Sequence, residues 1–163
     1  MASEDEKLKK CVFCKISSKE QETRIIYEDE ETLTFKDLRP ATDHHYLVIP
    51  KQHYGNPKSL TGDDLPLVEK LMDVGKKVLV QQNANTEDTV IGFHWPPFNS
   101  IQHLHLHVIS DASQMRFASR HIYRPGSWWF ATVDWMLEHL KKMKSAQINT
   151  KDSVTTEENI QES

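Results

Sequence analysis

Cysteine is scarce in this sequence. Cys11 and Cys14 are the only two, separated by two residues. A pair this close, with no third cysteine to meet, is not the cross-link framework of a secreted protein. Long apolar runs are missing too. None approaches the roughly 20 residues that a membrane-spanning helix needs. The first residues, Met1 to Lys7, carry too much charge for a signal peptide. Charge of one sign is not in excess either. Twenty basic residues stand against 24 acidic ones, a net charge of −4, so nothing forces a nucleic-acid surface. These absences lead to the expectation of a soluble intracellular protein with no membrane partner.

A chain of 163 residues suits one domain with a real core. No internal repeat and no inter-domain linker interrupts it. Residues 1–10 are expected to form a charged, mobile arm. Residues 145–163 lack apolar periodicity and are expected to be a disordered tail. Residues 11–144 remain as the domain.

Within the domain, short apolar runs predict strands at 24–27, 33–36, 46–49 and 90–94. Pro50 stops the third. The clearest helix is expected over 63–82, where Leu67, Val68, Leu71, Met72, Val78 and Leu79 share one face. Thr61, Asp63 and Asp64 are candidate N-caps, and Pro66 fits a first turn. A second helix is expected over 132–144, with Val133, Met136, Leu137, Leu140 and Met143 on one face and lysines at its C-terminal end. This order predicts an α+β domain with a mostly antiparallel sheet of about five strands, one long helix and a C-terminal helix.

The most informative segment is His103-Leu104-His105-Leu106-His107-Val108-Ile109. On a strand, alternate side chains share a face, so three imidazoles line one surface and Leu104, Leu106 and Val108 line the other. A polar solvent face is the plain alternative, although such faces usually carry Lys, Glu or Thr. One shared metal ion is the sharper alternative. Residues i and i+4 stand roughly 13 Å apart along a strand, whereas zinc needs nitrogens at about 2.0–2.1 Å. The imidazoles are therefore expected to divide their roles among attack, proton donation and orientation.

The pattern His-φ-His-φ-His-φ-φ, with φ apolar, resembles the signature of the histidine triad superfamily of nucleotide hydrolases and transferases. Cys11-Val12-Phe13-Cys14-Lys15-Ile16 resembles its opening segment. Phe35-Lys36-Asp37-Leu38 resembles its ribose-contacting strand end, and His45 to Lys51 its central strand. The similarity covers about residues 11–110. It implies a metal-independent hydrolase that acts at the α-phosphorus of nucleoside 5′-phosphoramidates and acyl-adenylates, releasing AMP through a covalent nucleotidyl-histidine. By the resemblance His105 is the nucleophile, His107 and Ser100 serve the leaving group, and His45 orients. The resemblance also places Asp37 on the ribose hydroxyls, with Leu38, Phe13, Ile16, Asn99 and His103 among the nucleotide-binding residues. No cofactor is required for catalysis on this reading. A purine nucleotide conjugate is the expected substrate. The expected assembly is a homodimer or a higher homo-oligomer, and the expected location cytoplasmic, extending to the nucleus.

Several readings stay open. The best-known branch of the superfamily has a glycine-rich turn before its serine; here Pro96, Pro97 and Phe98 stand in that place, which puts glycine-type backbone contacts to phosphate in doubt. Cys11 and Cys14 can be inert thiols or, as the resemblance allows, ligands of a structural zinc with His45 and His103. A redox pair would need a thioredoxin-like setting, which is absent. Arg120, His121, Tyr123, Arg124, Trp128 and Trp129 suit a lid or a leaving-group pocket. Aromatic and Arg residues together also suit nucleic acid, as in aprataxin, a superfamily member acting on adenylated DNA. That alternative is weakened because the zinc finger of aprataxin has no counterpart after Cys14. A non-catalytic nucleotide-binding or partner-binding protein is the remaining rival.

Overall fold

The computed structural model describes residues 4–158. Two short helices open the chain, α1 (Glu4–Lys10) and α2 (Val12–Ser17). Three strands follow, β1 (Ile25–Glu28), β2 (Thr32–Lys36) and β3 (His45–Pro50). The long helix α3 (Leu65–Gln81) leads to β4 (Thr89–His94) and β5 (Leu106–Ser110). A one-and-a-half-turn helix α4 (Phe117–Ile122), the short strand β6 (Phe130–Thr132) and helix α5 (Val133–Glu158) complete it.

The six strands form one sheet in the order β1-β2-β3-β5-β4-β6, with every neighbouring pair antiparallel. The α+β architecture is as expected, with one strand more than the five foreseen. Strand alternation sorts the two faces. Tyr46 and Val48 of β3 and Leu106 and Val108 of β5 pack under α3 and α5 with Val68, Leu71, Val78, Met136 and Leu140. Leu47 and Ile49 point the other way and join Phe13 and Ile16 of α2. The histidines occupy this second face, which α2 covers only in part.

Helix α3 lies directly on β5. A Cβ at Gly75 would come within 2.7 Å of the Val108 side chain, so only glycine permits that approach. Its start is set by local chemistry. The Asp64 carboxylate accepts from the Thr61 N–H at 2.7 Å and from the Thr61 hydroxyl at 3.1 Å, and Pro66 sits in the first turn. Residues Gly62–Asp64 form a 3-10 turn, so the α-helix begins two residues later than expected.

Three differences from the sequence reading have physical causes. Strand β6 is only three residues long and carries no periodic signal. It forms because β4 has glycine at its crossing point: a Cβ on Gly92 would collide with the Ala131 carbonyl and the Phe130 ring. The C-terminal helix does not stop at Lys144 but runs to Glu158. Its buried face, Val133, Met136, Leu137 and Leu140, ends earlier, and residues 144–150 are all exposed. Residues 145–150 therefore add nothing to that buried face. Finally, Glu4–Lys10, expected as a mobile arm, is helical, with Lys10 Nζ paired to Glu6 at 2.7 Å across one turn. Residues 1–3 and 159–163 of the expected arm and tail lie outside the described residues. Among the described residues, no helix is long and apolar enough to cross a membrane.

Candidate active site

Strand β5 starts at Leu106, not at His103. The cause lies in its partner. The β3–β5 register pairs Leu47 with His107 and Val48 with Leu106. Continued, it would set Leu104 against Pro50, which has no N–H to give. The Leu104 N–H turns instead to the Tyr54 carbonyl, at 2.6 Å. The chain therefore leaves the ladder before Leu106, but the alternation persists: Leu104 packs with Leu106 and Val108 in the helix-covered core, and Phe13 meets both the His103 and the His105 rings edge-on from the other side. His105 and His107 stay together, ring centroids 5.0 Å apart. His103 turns toward α2 and the cysteines.

His105 is almost fully buried, and its Nδ1–H donates to the His103 carbonyl at 2.7 Å. That bond leaves the Nε2 lone pair bare. Burial also pushes its pKa below the usual histidine value. A neutral imidazole with one nitrogen tied back and the other exposed to a cleft is equipped to attack an electrophile.

That cleft has a volume of about 490 Å³ and includes Phe13, Ile16, Asp37, Leu38, Ser100, His105 and His107 in its lining. Phe13 and Ile16 are its apolar wall, and Phe13 meets the His105 ring edge-on at 5.4 Å. Leu38, 96% exposed, stands at the mouth. Asp37 uses Oδ1 to accept the Arg39 N–H at 2.8 Å. Its Oδ2 lies 3.5 Å from His45 Nε2. Ser100 is exposed on the rim. Two residues assigned to the nucleotide by resemblance lie elsewhere. Asn99 is buried behind the loop, its amide donating to the Ile101 carbonyl at 3.4 Å. His103 does not line the cleft.

His45 is fully buried. Its Nδ1 accepts the Ala41 N–H at 3.0 Å, and its Nε2 lies 3.0 Å from His107 Nδ1. Burial pulls its pKa down to about 4, against the opposing pull of the Asp37 carboxylate. His107 is held well below the usual value by burial and by its histidine neighbours. Both are therefore neutral near pH 7, and the contact between His45 and Asp37 is not an ion pair there.

A further histidine completes the group. His94, at the end of β4, places Nδ1 3.2 Å from His107 Nε2 and Nε2 3.3 Å from the Ile122 carbonyl. Its sequence signal is slight: a histidine ending a strand just before the loop into the triad. Tyr123 lies against His45, His94 and His107, with centroids 5.1 to 5.2 Å apart. Burial raises its phenol to about 12, so it keeps its proton.

The cysteines gather a different pair of histidines from the pair expected. Cys11, Cys14, His53 and His103 bring their donor atoms within 4.8 Å of one another. His45 is excluded, because its Nε2 is engaged with His107. His53 takes that place; it follows β3 by three residues, with no sequence signal to mark it. The distances test the fit. Zn–N bonds of about 2.0–2.1 Å and Zn–S bonds of about 2.3 Å put tetrahedral nitrogens about 3.3 Å apart and nitrogen and sulfur about 3.5 Å apart. The two Nδ1 atoms are 3.3 Å apart. His103 Nδ1 is 3.5 Å from each sulfur, and His53 Nδ1 is 3.2 Å from Cys14 Sγ. The His103 Nε2–H donates to the Pro50 carbonyl at 2.8 Å, which directs the Nδ1 lone pair inward, the usual support for a metal-ligating histidine. The four residues therefore fit zinc. With no cation, burial pushes the Cys14 thiol up to about 12, which makes it inert.

Beyond the triad, His121, Trp128 and Trp129 line a cleft of about 400 Å³ together with His94, Phe98 and Ile122. Phe98 and Trp128 pack edge-to-face at 4.8 Å. Arg120 does not face this cleft. Its guanidinium donates to the Met115 carbonyl at 2.8 Å and to the Ser113 carbonyl, so it braces a turn. Arg124 is exposed at the chain reversal before β6.

Comparison with known proteins gives the family. Residues 10–123 match the family described as scavenger mRNA decapping enzyme C-term binding. The chain is 47% identical over 133 residues to adenosine 5′-monophosphoramidase HINT3 of Xenopus tropicalis, covering 80% of this chain and 87% of that protein. It is 44% identical over 135 residues to the HINT3 enzyme of Mus musculus, covering 81% and 82%. Among solved structures, a histidine triad protein from Clostridium difficile superposes with a TM-score of 0.59 at 27% identity, covering 68% of this chain and 93% of that one. The chain belongs to the histidine triad family.

Proposed function

We propose that the chain is an adenosine 5′-monophosphoramidase, a hydrolase that releases AMP from amine and acyl conjugates. The observation that carries this reading is the His105 ring. Its Nδ1–H is bound back to the His103 carbonyl, which leaves Nε2 bare, and the ring lines a cleft of about 490 Å³ that Asp37 also lines. The HINT3 relatives, matched over most of their own length and of this chain, bear that activity in their names.

In the proposed reaction, the Nε2 lone pair attacks the α-phosphorus. The bond to the amine nitrogen or acyl oxygen breaks, its electron pair leaves with that atom, and a solvent proton taken up with the substrate is delivered to it through His107, aided by Ser100 at the rim. Water then attacks the nucleotidyl-His105: its oxygen bonds to phosphorus, its proton leaves through His107 to solvent, the P–N bond breaks, and the neutral imidazole and AMP are released. Asp37 accepts hydrogen bonds from the ribose hydroxyls, and Phe13 and Ile16 hold the base. The aromatic cleft of Phe98, Trp128 and Trp129 receives the departing group. His45 orients His107.

Zinc belongs to the same reading, as structure and not as chemistry. Held by Cys11, Cys14, His53 and His103, it would tie α2, a wall of the cleft, to the start of the catalytic segment. Elemental analysis of untagged protein, beside Cys11→Ser, tests it: zinc near one per chain, and a loss of stability in the variant, are expected. The reading also includes a homodimer, to be tested by light scattering, and a cytoplasmic and nuclear location, to be tested by fractionation.

The function itself is tested by turnover of adenosine 5′-phosphoramidate after exhaustive removal of free divalent metal. Sustained AMP release is expected. No release from well-folded protein would overturn the reading in favour of a binding protein.

A further inference from the structure

Four hydrogen bonds join backbone to backbone through three imidazoles. The Ala41 N–H reaches His45 Nδ1 at 3.0 Å. His45 Nε2 and His107 Nδ1 are 3.0 Å apart. His107 Nε2 and His94 Nδ1 are 3.2 Å apart. His94 Nε2 and the Ile122 carbonyl are 3.3 Å apart.

The two ends settle the direction independently. An amide N–H only donates, so His45 Nδ1 is bare and His45 Nε2 carries the hydrogen. That hydrogen points at His107 Nδ1, which must be bare, so His107 carries its hydrogen on Nε2. From the other end, a carbonyl only accepts, so His94 carries its hydrogen on Nε2 and its Nδ1 is bare. That bare nitrogen takes the His107 Nε2–H. Both derivations give the same tautomer at all three rings. The reverse direction would set donor against donor at Ala41 and acceptor against acceptor at Ile122.

We infer that His94 is a positioning residue for the reaction, fixing the ring and tautomer of His107 with the transferable proton on Nε2. The inference rests on the proposed role of His107 at the leaving group. His45 alone would not secure this state, because its Nε2–H has a second acceptor in range, the Asp37 carboxylate at 3.5 Å. Were it to turn there, His107 Nδ1 would be free to take the hydrogen instead. His94 removes that freedom by holding the other nitrogen. Its own ring is held by the Ile122 carbonyl and by edge-on packing on Phe130 at 5.1 Å. It is therefore a fixed acceptor for the His107 Nε2–H.

The test pairs two substitutions with a spectrum. In His94→Leu the acceptor is gone; kcat should fall at least about tenfold with KM changed less than about threefold. In His94→Asn, Oδ1 can stand where Nδ1 stood, so most of kcat should return. Ring ¹⁵N shifts of the wild-type protein should show His107 protonated at Nε2 and bare at Nδ1. A His107 protonated at Nδ1 would overturn the inference, even where His94→Leu fails to fold. So would full kcat in His94→Leu, or His94→Asn no better than His94→Leu. Failure of the wild type to turn over phosphoramidate would sink the proposed function but leave the tautomer measurement to decide this point.

Discussion

Single side chains divide the labour at this site, and their surroundings decide how. His105 and His107 are two residues apart, yet one has its Nδ1–H tied to a carbonyl and the other has both nitrogens engaged with histidines. Asp37 belongs to binding rather than to chemistry. Asp37→Asn keeps the Oδ1 acceptor for the Arg39 N–H but weakens the grip on a diol. KM should rise roughly tenfold or more, the loss of about 1.5–3 kcal/mol expected for a hydrogen bond to a charged group, with kcat little changed. Separate measurement of kcat and KM checks it; a fall confined to kcat would place Asp37 at the phosphorus. At this scale the sequence was legible where residues lie close along the chain. His105, His107, Asp37 and Phe13 sit in local patterns that a strand or turn explains. His53 and His94 were not legible as partners, because nothing local links His53 to Cys14 or His94 to His107. Those contacts exist only once β3, β4 and β5 are paired. The same long-range pairing moved His45 from the expected zinc set to His107.

Elements are legible in proportion to the periodicity they carry. Helix α3 shows its apolar face and its Thr61–Asp64 cap in the sequence, and it is shorter than its periodicity predicts by two residues at the start and one at the end. Strand β6 shows nothing, because three residues cannot display a period and their pairing depends on a missing side chain at Gly92. That dependence is testable. Gly92→Val drives a branched side chain into the Ala131 carbonyl and the Phe130 ring. Overpacking of this kind costs about 1–3 kcal/mol, and it should displace β6 and loosen the Phe130 contact with His94. Denaturant unfolding should show the loss, and activity should fall with it. Unchanged stability would mean that β6 is not seated on β4 in solution.

Across the whole molecule, a buried bank of neutral imidazoles links stability to pH. His45, brought down to about 4 in the folded state by burial, has an ordinary value of about 6.5 when unfolded. Between those values the unfolded chain binds a proton that the folded chain refuses. Stability contributed by neutral His45 is therefore complete above about pH 6.5 and is lost as pH falls toward 4. His105, His107 and His94 are shifted in the same direction by burial and add to the effect. The slope is up to about 1.4 kcal/mol per pH unit for His45 alone. Calorimetry from pH 7.5 to 4.5 should find a melting temperature that falls steadily below pH 6.5. A melting temperature that rises on acidification would contradict the neutral assignment of the cluster.

The most direct test of the central claim is a trap for the covalent intermediate. His107→Ala is mixed briefly with adenosine 5′-phosphoramidate, quenched and examined by intact and peptide mass spectrometry, beside His105→Ala. The account predicts a mass gain of one AMP group on the peptide containing His105, absent from His105→Ala, whose turnover is at least about 10³-fold lower. An adduct on another residue, or a His105→Ala enzyme that retains most of its turnover, would contradict it.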